Sequence, residues 1–322
     1  MTRRKFAGLS AAAVVGTYAG IKLQRPPKLP EGPAGNSAVA IIRARSYSDD
    51  LVSRMLQGIK ECGLDVRGKR VLLKPNLVEF DAATVVNTDA AIIAAALEVF
   101  HQLGALEVKI GEGPGHRRDT LDLADDARYR ASVPKFDGIF TDLNRDDVSP
   151  VRHFAGESQF YFPNTVLAAD LIVSLAKMKT HHWAGATLSM KNFFGVVPGS
   201  VYGWPKNKLH YLGIAESIVA LNRQFRSKAF AIVDGVIGME GNGPIQGTPK
   251  PAGVLVMGSD LVAVDATCAR VMGIDPEKMT YLRMAADLGH IHAGRIEQRG
   301  ETIASVRTNF ALIEEYKSLR LA

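Results

Sequence analysis

The stretch Leu171-Ile-Val-Ser-Leu-Ala-Lys-Met-Lys-Thr-His-His-Trp-Ala-Gly185 decides the fold prediction, because an apolar run passes directly into cations and two imidazoles. The residues from Leu171 to Leu175 predict a strand that is buried on both faces. Open α/β folds bind their ligands beyond the carboxyl ends of such strands. We therefore place candidate chemistry in the residues that follow, namely Lys177, Lys179, Thr180, His181 and His182. A solvated basic loop with incidental histidines is the alternative.

Strand-length apolar runs alternate with helical patterns on both sides of this stretch. The strand-like runs are Ala38–Ala44, Arg70–Leu73, Glu107–Ile110, Leu171–Leu175, Ala229–Val233 and Gly253–Met257. The helical patterns are Ser48–Cys62, Thr88–Leu103, Leu212–Phe225, Leu261–Met272 and Pro276–Leu288. This alternation predicts an α/β fold with a largely parallel or mixed sheet and helices on both faces.

The composition is that of a globular protein, with 322 residues of which 47% are apolar and 22% charged. A Pro/Gly-rich linker over residues 21–37 precedes a domain over residues 38–322, built as one unit or as two closely joined lobes. The net charge is +6, but six basic residues and no acidic residue fall within the first thirty positions. The rest of the chain is nearly balanced, so we do not expect it to bind nucleic acid.

Residues 1–20 predict an export signal. Met1-Thr-Arg-Arg-Lys-Phe6 and the short apolar run after it resemble the signal read by the twin-arginine translocase of bacteria, whose route carries folded proteins. We therefore expect a periplasmic or exported protein, with the translocase as a partner during export and an exported redox protein as a further candidate partner. The alternatives are a membrane anchor formed by an uncleaved signal and a helix packed on the domain, since the run is short for a membrane span.

Cysteine usage excludes two kinds of site. The chain has two cysteines, Cys62 and Cys268, and no Cys-x-x-Cys pair. It therefore carries no iron-sulfur motif and no structural zinc motif of its own. We expect two buried free thiols.

Polar residues also follow two other predicted strands. Lys74-Pro-Asn76 follows one strand, and the glycine-rich loop Gly111–Thr120 follows the next. Bare backbone N–H groups and arginines in such a loop suit a phosphate or a carboxylate, with His116 beside the anion as a proton carrier. A plain turn is the alternative in both places. The candidates for binding an anion or a cofactor here are Lys74, Asn76, Gly113, Gly115, Arg117 and Arg118.

Carboxylates occur in two further segments. The segment from Ala231 to Pro244 runs from a strand into a glycine-rich loop, where oxygen ligands suit Mg²⁺, Ca²⁺ or a ribose, although a long turn is equally compatible. Asp265 lies one turn inside an apolar helix and needs a partner, which the basic loop would supply. The cofactor-binding candidates from these segments are Asp234, Gly241, Gly243 and Asp265, with Glu240 as a metal ligand.

Several of these motifs together resemble one family. They are Leu72-Leu-Lys-Pro-Asn-Leu77, Gly111-Glu-Gly-Pro-Gly115, Lys177-Met-Lys-Thr-His181, Met190-Lys-Asn-Phe-Phe-Gly-Val-Val-Pro-Gly199, Asp234-Gly235 with Glu240-Gly-Asn-Gly-Pro244, and Asp260-x-x-Ala-Val-Asp265. Over roughly Ala38 to Gly289 the chain resembles DUF362, a bacterial and archaeal domain of unknown function. The resemblance implies no activity. Many members carry a ferredoxin-type module, which this chain lacks, so an electron-transfer role is not implied.

A more distant resemblance concerns the nickel-dependent lactate racemases. The series His181, Trp183-Ala-Gly185 and Lys191, and the loop Gly115-His-Arg-Arg-Asp-Thr120, are similar to two racemase segments in the same order. The resemblance implies acid/base roles for His116 and His181 and a role for Lys191 in holding a nickel-pincer nucleotide-like cofactor. Asn192 joins the cofactor-binding candidates. The candidate metal ligands are His181, His182, His210 and Glu240.

The function predicted from these residues is binding of an anionic small molecule, with a divalent metal or the pincer-type cofactor as candidates. The first hypothesis is an enzyme that performs racemase-like, isomerase-like or redox chemistry on a hydroxy acid. The alternatives are a non-enzymatic protein that binds a metal or an anion, and an assembly factor for another exported enzyme.

Overall fold

The structure is a computed structural model that describes residues 32–115 and 118–321. The predicted export signal, most of the linker, His116 and Arg117 lie outside the described residues. The strands are β1 (Ser37–Arg43), β2 (Arg70–Pro75), β3 (Glu107–Glu112), β4 (Phe140–Asp142), β5 (Val148–Phe154), β6 (Glu157–Pro163), β7 (Leu171–His181), β8 (Gly185–Thr187), β9 (Ala229–Asn242), β10 (Gln246–Gly258) and β11 (Ile296–Gly300). The helices are α1 (Leu51–Glu61), α2 (Ala90–Gln102), α3 (Thr120–Asp126), α4 (Tyr129–Ser132), α5 (Phe136–Ile139), α6 (Asn164–Ala168), α7 (Ser189–Asn192), α8 (Gly199–Tyr202), α9 (Asn207–Tyr211), α10 (Ile214–Phe225), α11 (Leu261–Val271), α12 (Thr280–Met284) and α13 (Ile303–Val306).

A mixed sheet organises the described part of the chain. Its nine strands follow the order β11-β1-β10-β9-β7-β2-β3-β4, with β8 paired to β7. The strands from β9 to β4 in this order are parallel to one another, whereas β10 is antiparallel to both β9 and β1. The prediction of an α/β fold with a largely parallel or mixed sheet is confirmed.

Helices pack against both faces of the sheet. Helices α1 and α2 bury Met55 and Phe100 in one apolar cluster with Val173 and Leu255, which project from that face of β7 and β10. Helices α7 and α11 contact β7, β9 and β10 from the other face. Burial of a side chain the size of Phe100 contributes about 1.5–3 kcal/mol. The central strands are apolar on both faces because both faces are covered.

The six predicted strands are all present, and five of them are longer than predicted. Strand β7 continues to His181 because β8 pairs with its last three residues. Strand β9 continues to Asn242 because β10 pairs with it along that length. Lys177, Lys179 and Asp234 therefore lie within strands, not in the loops where we expected them.

Other differences concern short elements. The predicted helix Pro276–Leu288 is a single 3₁₀ turn over Pro276–Lys278 followed by the short helix α12. Strands β5 and β6 pair only with each other, as a separate hairpin that the apolar pattern did not indicate. No helix in the described part of the chain is both long enough and apolar enough to cross a membrane.

The two cysteines are free thiols, as predicted. Cys268 is buried, whereas Cys62 is half-buried and donates to the carbonyl oxygen of Met257 at 3.3 Å. Burial raises the pKa of Cys62 to about 11, which keeps this thiol protonated and unreactive at neutral pH.

Candidate functional site

A cavity of about 510 Å³ opens at the carboxyl ends of three parallel strands. Lys74, Glu112 and His181 lie at or next to the last residues of β2, β3 and β7, and all three line it. Parallel strands bring these ends to the same edge of the sheet, which is where open α/β folds bind ligands. The remaining wall comes from α7, from the turn that follows α8 and from the β9–β10 turn. The cavity is therefore built where the sequence placed the site.

Four lysines line this space, which we call the lysine cavity. They are Lys74, Lys179, Lys191 and Lys206. Among the residues that the structure describes, Glu112 is the single carboxylate on its wall. Enclosed cations without acidic partners are unfavourable, so the arrangement favours a ligand that brings negative charge.

Glu112 neutralises one of the four lysines. The Nζ of Lys74 lies 2.5 Å from Oε2 of Glu112 and 3.1 Å from Oδ1 of Asn192, and this lysine is 1% exposed. Burial lowers the pKa of Lys74, and the Glu112 carboxylate acts against that shift. A Cβ at Gly195 would overlap both members of the pair, so glycine is needed there. This pair is part of the cavity wall, and three lysines remain for a ligand.

Two of the remaining lysines donate only to backbone carbonyls among the described residues. Lys179 donates to the carbonyl oxygens of Val86, at 2.7 Å, and Pro244, at 3.3 Å. Lys206 donates to the carbonyl oxygen of Val197. Burial is the main cause that brings the pKa of Lys179 well below its usual range and lowers the pKa of Lys206 to about 7. A bound anion would favour the charged form of both amines.

Lys191 differs from the other three. Its Nζ lies 4.7 Å from the centre of the Phe194 ring and has no hydrogen-bond acceptor among the described residues. Burial and then the nearby charge of Lys74 lower the pKa of Lys191 to about 8. A substantial fraction of this amine is therefore uncharged just above neutral pH.

The backbone fixes the protonation state of His181. Its Nδ1 accepts from the backbone N–H groups of Trp183, at 2.9 Å, and Ala184, at 3.2 Å. Burial, followed by the charge of Lys191, brings the pKa of His181 far below its usual range. The ring is therefore neutral with its hydrogen on Nε2, so that His181 is a hydrogen-bond donor toward a ligand. This corrects the expectation that His181 acts as a base and as a metal ligand, because its Nδ1 is occupied and its Nε2 carries the hydrogen.

The predicted metal ligands do not form one site. Nδ1 of His182 donates to the carbonyl oxygen of Gly243 at 2.8 Å, and Nδ1 of His210 to that of Lys206 at 3.3 Å, which leaves Nε2 of each ring with its lone pair. Glu240 is not on the cavity wall and accepts from the backbone N–H of Ala311 at 2.8 Å. Within residues 32–115 and 118–321, no three His, Cys, Asp or Glu side chains converge to hold a metal. The described donor set does not fit a metal, so we derive no step through one.

Two buried oxygens on the wall have no hydrogen-bond partner in the described part of the chain. They are Oδ1 of Asn76 and Oγ1 of Thr187. Buried polar atoms are almost always bonded, so a ligand or a water molecule with complementary groups would satisfy these two. The Asn76 oxygen only accepts, and a ligand hydroxyl or amine would satisfy it.

Lys177 and Asp234 hold the sheet together away from the lysine cavity. Nζ of Lys177 lies 2.9 Å from Oδ2 of Asp234 and 2.7 Å from the hydroxyl of Tyr47, and the Tyr47 hydroxyl donates to the same carboxylate at 3.1 Å. Both charges are buried and paired. This corrects the expectation that they bind a cofactor, because neither lines the cavity.

Asp265 also has a structural role. Its carboxylate accepts from the backbone N–H of Ser189 at 2.8 Å and of Met190 at 3.2 Å, and from the hydroxyl of Tyr281 at 3.0 Å. These bonds hold the first turn of α7, two residues before Lys191. The segment we expected to pair with Asp265 thus supplies amides and a hydroxyl, not a cation.

Three other candidates bind neighbouring segments. The Thr180 hydroxyl donates to the carbonyl oxygen of Gly241 at 2.8 Å, away from the cavity wall. A Cβ at Gly243 would overlap the backbone of Thr180, which explains glycine at that turn. Arg118 forms ion pairs with Glu79, at 2.7 Å, and Asp126. Its guanidinium is thus already paired with carboxylates, which corrects its expected role in binding an anion.

The remaining candidates fall on the wall or outside the described residues. Gly113, Gly115 and Asn192 line the cavity, and Nδ2 of Asn192 donates to the carbonyl oxygen of Lys74 at 2.9 Å. His116 follows Gly115 in the chain but lies outside the described residues, so its role as an acid/base stays a prediction. Sequence reasoning missed Glu112, Thr187 and Lys206. Glu112 stands within the motif Gly111–Gly115, whereas nothing in the sequence distinguishes Lys206 from a surface lysine.

Fold and site together define an α/β protein with a lysine-lined cavity at the carboxyl ends of its parallel strands. The chain belongs to the DUF362 family, described as a domain of unknown function, whose sequence model matches residues 71–270. The predicted family membership is confirmed.

Two further comparisons give more distant likenesses. The chain is similar to a thylakoid-associated protein of Synechocystis sp., with 25% identity over 274 residues that cover 78% of this chain and 79% of that protein. Its fold is distantly similar to the lactate racemase apoprotein from Thermoanaerobacterium thermosaccharolyticum, with a TM-score of 0.43 and 14% identity. That match covers 76% of this chain but 61% of the racemase chain. The racemase likeness concerns the fold alone.

Proposed function

We propose that the protein binds a small organic anion in the lysine cavity and acts on it as an enzyme. The observation that carries this proposal is the excess of four enclosed lysines over one carboxylate on the described wall. Because Glu112 pairs with Lys74, the amines of Lys179, Lys191 and Lys206 have no acidic partner on the described wall, and a bound anion would favour their charged forms. A ligand carboxylate or phosphate would make charge-assisted hydrogen bonds with these amines.

The wall supports a hydroxy acid or a similar carboxylate as the ligand. Phe194, Pro205 and Ile245 give the cavity apolar surface, which suits an organic molecule better than a bare ion. The unpartnered oxygens of Asn76 and Thr187 would accept from a ligand hydroxyl. The lysines would hold the acid group of the same molecule.

Two histidines on the wall have complementary states that suit proton transfer. His181 presents a hydrogen on Nε2, which would donate to a carbonyl or carboxylate oxygen of the ligand. His182 keeps the lone pair of Nε2, because its Nδ1 donates to Gly243, and would accept a proton. His116 remains a predicted second acid/base. A nucleotide-derived cofactor on Lys191 and export through the twin-arginine route likewise remain predictions.

The binding experiment uses calorimetry with L-lactate, D-lactate and inorganic phosphate. Lys179→Met should weaken anion binding about tenfold or more, because one charge-assisted hydrogen bond contributes roughly 1.5–3 kcal/mol. Lys228→Met is the matched control, since this half-buried lysine donates to the carbonyl oxygens of Val166, Leu167 and Ala169 and is not on the cavity wall. The control should keep its affinity within about twofold. Equal weakening in both variants, or no anion binding by the wild-type protein, would contradict the proposed site.

Turnover is read from the same samples. Each lactate enantiomer is incubated with the protein in D₂O, and exchange of the C2 hydrogen and inversion at C2 are followed by NMR. Exchange that is lost in His182→Gln supports an enzyme with His182 as the base. Tight binding without exchange or any other conversion favours the second candidate, a protein that captures an anion without turnover. That candidate is consistent with the fixed donor state of His181.

A further inference from the structure

The amine of Lys191 has the surroundings of a nucleophile. Among the four lysines on the cavity wall, Lys74 is bound by Glu112, and Lys179 and Lys206 donate to backbone carbonyls. Lys191 alone has no hydrogen-bond acceptor in the described part of the chain and rests against the Phe194 ring. Its half-buried side chain lines the cavity. No described acceptor therefore restrains the amine from meeting a ligand.

Neighbouring charges favour the uncharged form that a nucleophile needs. Burial lowers the pKa of Lys191, and the nearby charge of Lys74 acts in the same direction, which brings this pKa to about 8. Enzymes activate lysines for attack on carbonyl groups by desolvation and by a second nearby cation. Both conditions are present at Lys191. The opposite arrangement is seen at Lys177, whose amine has the Asp234 carboxylate 2.9 Å away as its partner.

We propose that Lys191 forms an imine with a small anionic aldehyde or ketone, such as a 2-oxo acid, that binds in the lysine cavity. This inference rests on the proposed binding of an organic anion there. The carboxylate of such a molecule would lie against the amines of Lys179 and Lys206. Its carbonyl group would then face Lys191 and the donor hydrogen of His181 on the same wall.

The reaction needs no oxidant or reductant. The nitrogen lone pair of Lys191 attacks the carbonyl carbon, a C–N bond forms, and the C–O π electrons move to oxygen, which takes up a proton. The resulting carbinolamine loses its hydroxyl group and the proton on nitrogen as water, which leaves a C=N bond. His181 can donate a hydrogen bond to the carbonyl oxygen as charge develops there. His182 can accept the proton that the attacking amine releases.

The charge of Lys191 acts on the ring of His181. The charge of Lys191 is the largest cause, after burial, of the low pKa of His181. The two groups therefore lie near each other, and the loss of charge at the Lys191 amine reduces the electrostatic cost of a positive charge on the His181 ring. The imidazole stays a neutral donor while the amine changes state.

The experiment traps the imine. The full-length protein is incubated with pyruvate and reduced with sodium borohydride, and its peptides are mapped by mass spectrometry. We expect a carboxyethyl adduct on the peptide that contains Lys191. The adduct should be absent without pyruvate, absent without borohydride, lost from that peptide in Lys191→Arg, and retained in Lys228→Met. Peptide mapping of the wild-type protein decides the site even if a variant folds poorly.

Binding measured in parallel separates the two proposals. Calorimetric binding of pyruvate with no adduct at Lys191 would overturn the imine and leave the anion site in place. An adduct spread over surface lysines, or a Lys191 that carries another group before pyruvate is added, would also overturn it. If pyruvate, lactate and phosphate all fail to bind, the anion site itself fails and the imine fails with it.

Discussion

His181 shows how a backbone turn can set the chemistry of a side chain. The N–H groups of Trp183 and Ala184 both donate to Nδ1, so a hydrogen on that nitrogen would oppose two donors. The nearby amines of Lys191 and Lys179 add to the cost of a positive ring. The histidine is therefore held as the Nε2–H tautomer, whose Nε2 can only donate a hydrogen bond to a ligand at neutral pH.

We predict that this ring does not titrate in the ordinary range of histidine. Its ring ¹⁵N shifts should remain those of the neutral Nε2–H form from about pH 8 to about pH 5, well below the usual histidine pKa of about 6.5. Long-range ¹H–¹⁵N spectra measure this, and a spectrum of His181→Asn assigns the signals. A signal that moves to the imidazolium position near pH 6 would refute the proposed tautomer.

The sequence indicated which residues matter more reliably than it indicated what they do. Lys191 and His181 stand in recognisable motifs, and both line the cavity. Their states depend on whether an acceptor or a donor lies within about 3 Å, and only the three-dimensional arrangement gives that. Asp234 shows the limit of sequence reasoning. It was predicted to follow a strand and bind a cofactor, but its carboxylate pairs with Lys177 inside the core.

Helix α7, which carries Lys191, is very short. Its four residues, Ser189–Asn192, are too few to form a stable helix by themselves. The Asp265 carboxylate binds its first two N–H groups and the Ser189 hydroxyl, and thereby fixes its start. Asn192 binds Lys74 at the other end. The position of Lys191 therefore depends on contacts made by its neighbours.

We predict that Asp265→Asn destabilises the protein by about 1–3 kcal/mol, because an amide accepts with one oxygen only and turns its NH₂ toward buried donors. Urea unfolding followed by circular dichroism measures the change. Asp287→Asn is the matched control, since Asp287 forms an exposed ion pair with Arg223 at 2.8 Å. That change should cost less than about 1 kcal/mol. Equal losses in the two variants would contradict the role of Asp265 in holding α7.

At the level of elements, the apolar pattern located the strands but not their ends. Leu171–Leu175 and Ala229–Val233 are correct as strand starts, yet β7 and β9 continue through polar and glycine residues. The continuation depends on pairing with β8 and β10, which contribute hydrogen bonds regardless of side-chain hydropathy. Glycine at position 238 also admits close contact with Phe310, far away in the chain.

Across the whole molecule, three groups whose pKa values are shifted by desolvation give stability a definite pH dependence. Burial lowers the pKa of Lys206 to about 7 and of Lys191 to about 8, from an ordinary value of 10.5. From about pH 7 to about pH 10 the unfolded chain thus binds more protons than the folded protein, and stability rises with pH. Asp265 has the opposite effect below that range, since burial raises its pKa from 3.8 to about 7. The folded state then holds a proton that the unfolded chain lacks, and this contribution is lost as pH rises toward 7.

We predict that the free energy of unfolding of the ligand-free protein rises between about pH 7 and about pH 9, while its affinity for lactate falls over the same range. The affinity falls because Lys191 and Lys206 lose the charges that attract the anion. Urea unfolding and calorimetry measure the two trends, and calorimetry in buffers of different ionisation enthalpy should show proton uptake on binding. Lys206→Met should reduce both slopes. If stability and affinity change in the same direction with pH, or if Lys206→Met leaves both pH dependences unchanged, the lowered pKa values of Lys191 and Lys206 would be wrong.

The turn between β9 and β10 forms one side of the cavity with Asn242, Pro244, Ile245 and Gln246, whereas the lysines stand on strand ends and on the short segments after β7. Gly243 and Pro244 are fixed by contacts with Thr180, His182 and Lys179, whereas the Ile245 side chain can vary without altering the register of the sheet. The cavity thus combines charged residues at fixed positions with a variable side chain at its edge. Relatives that share these lysines could bind different ligands through substitutions at this edge of the cavity.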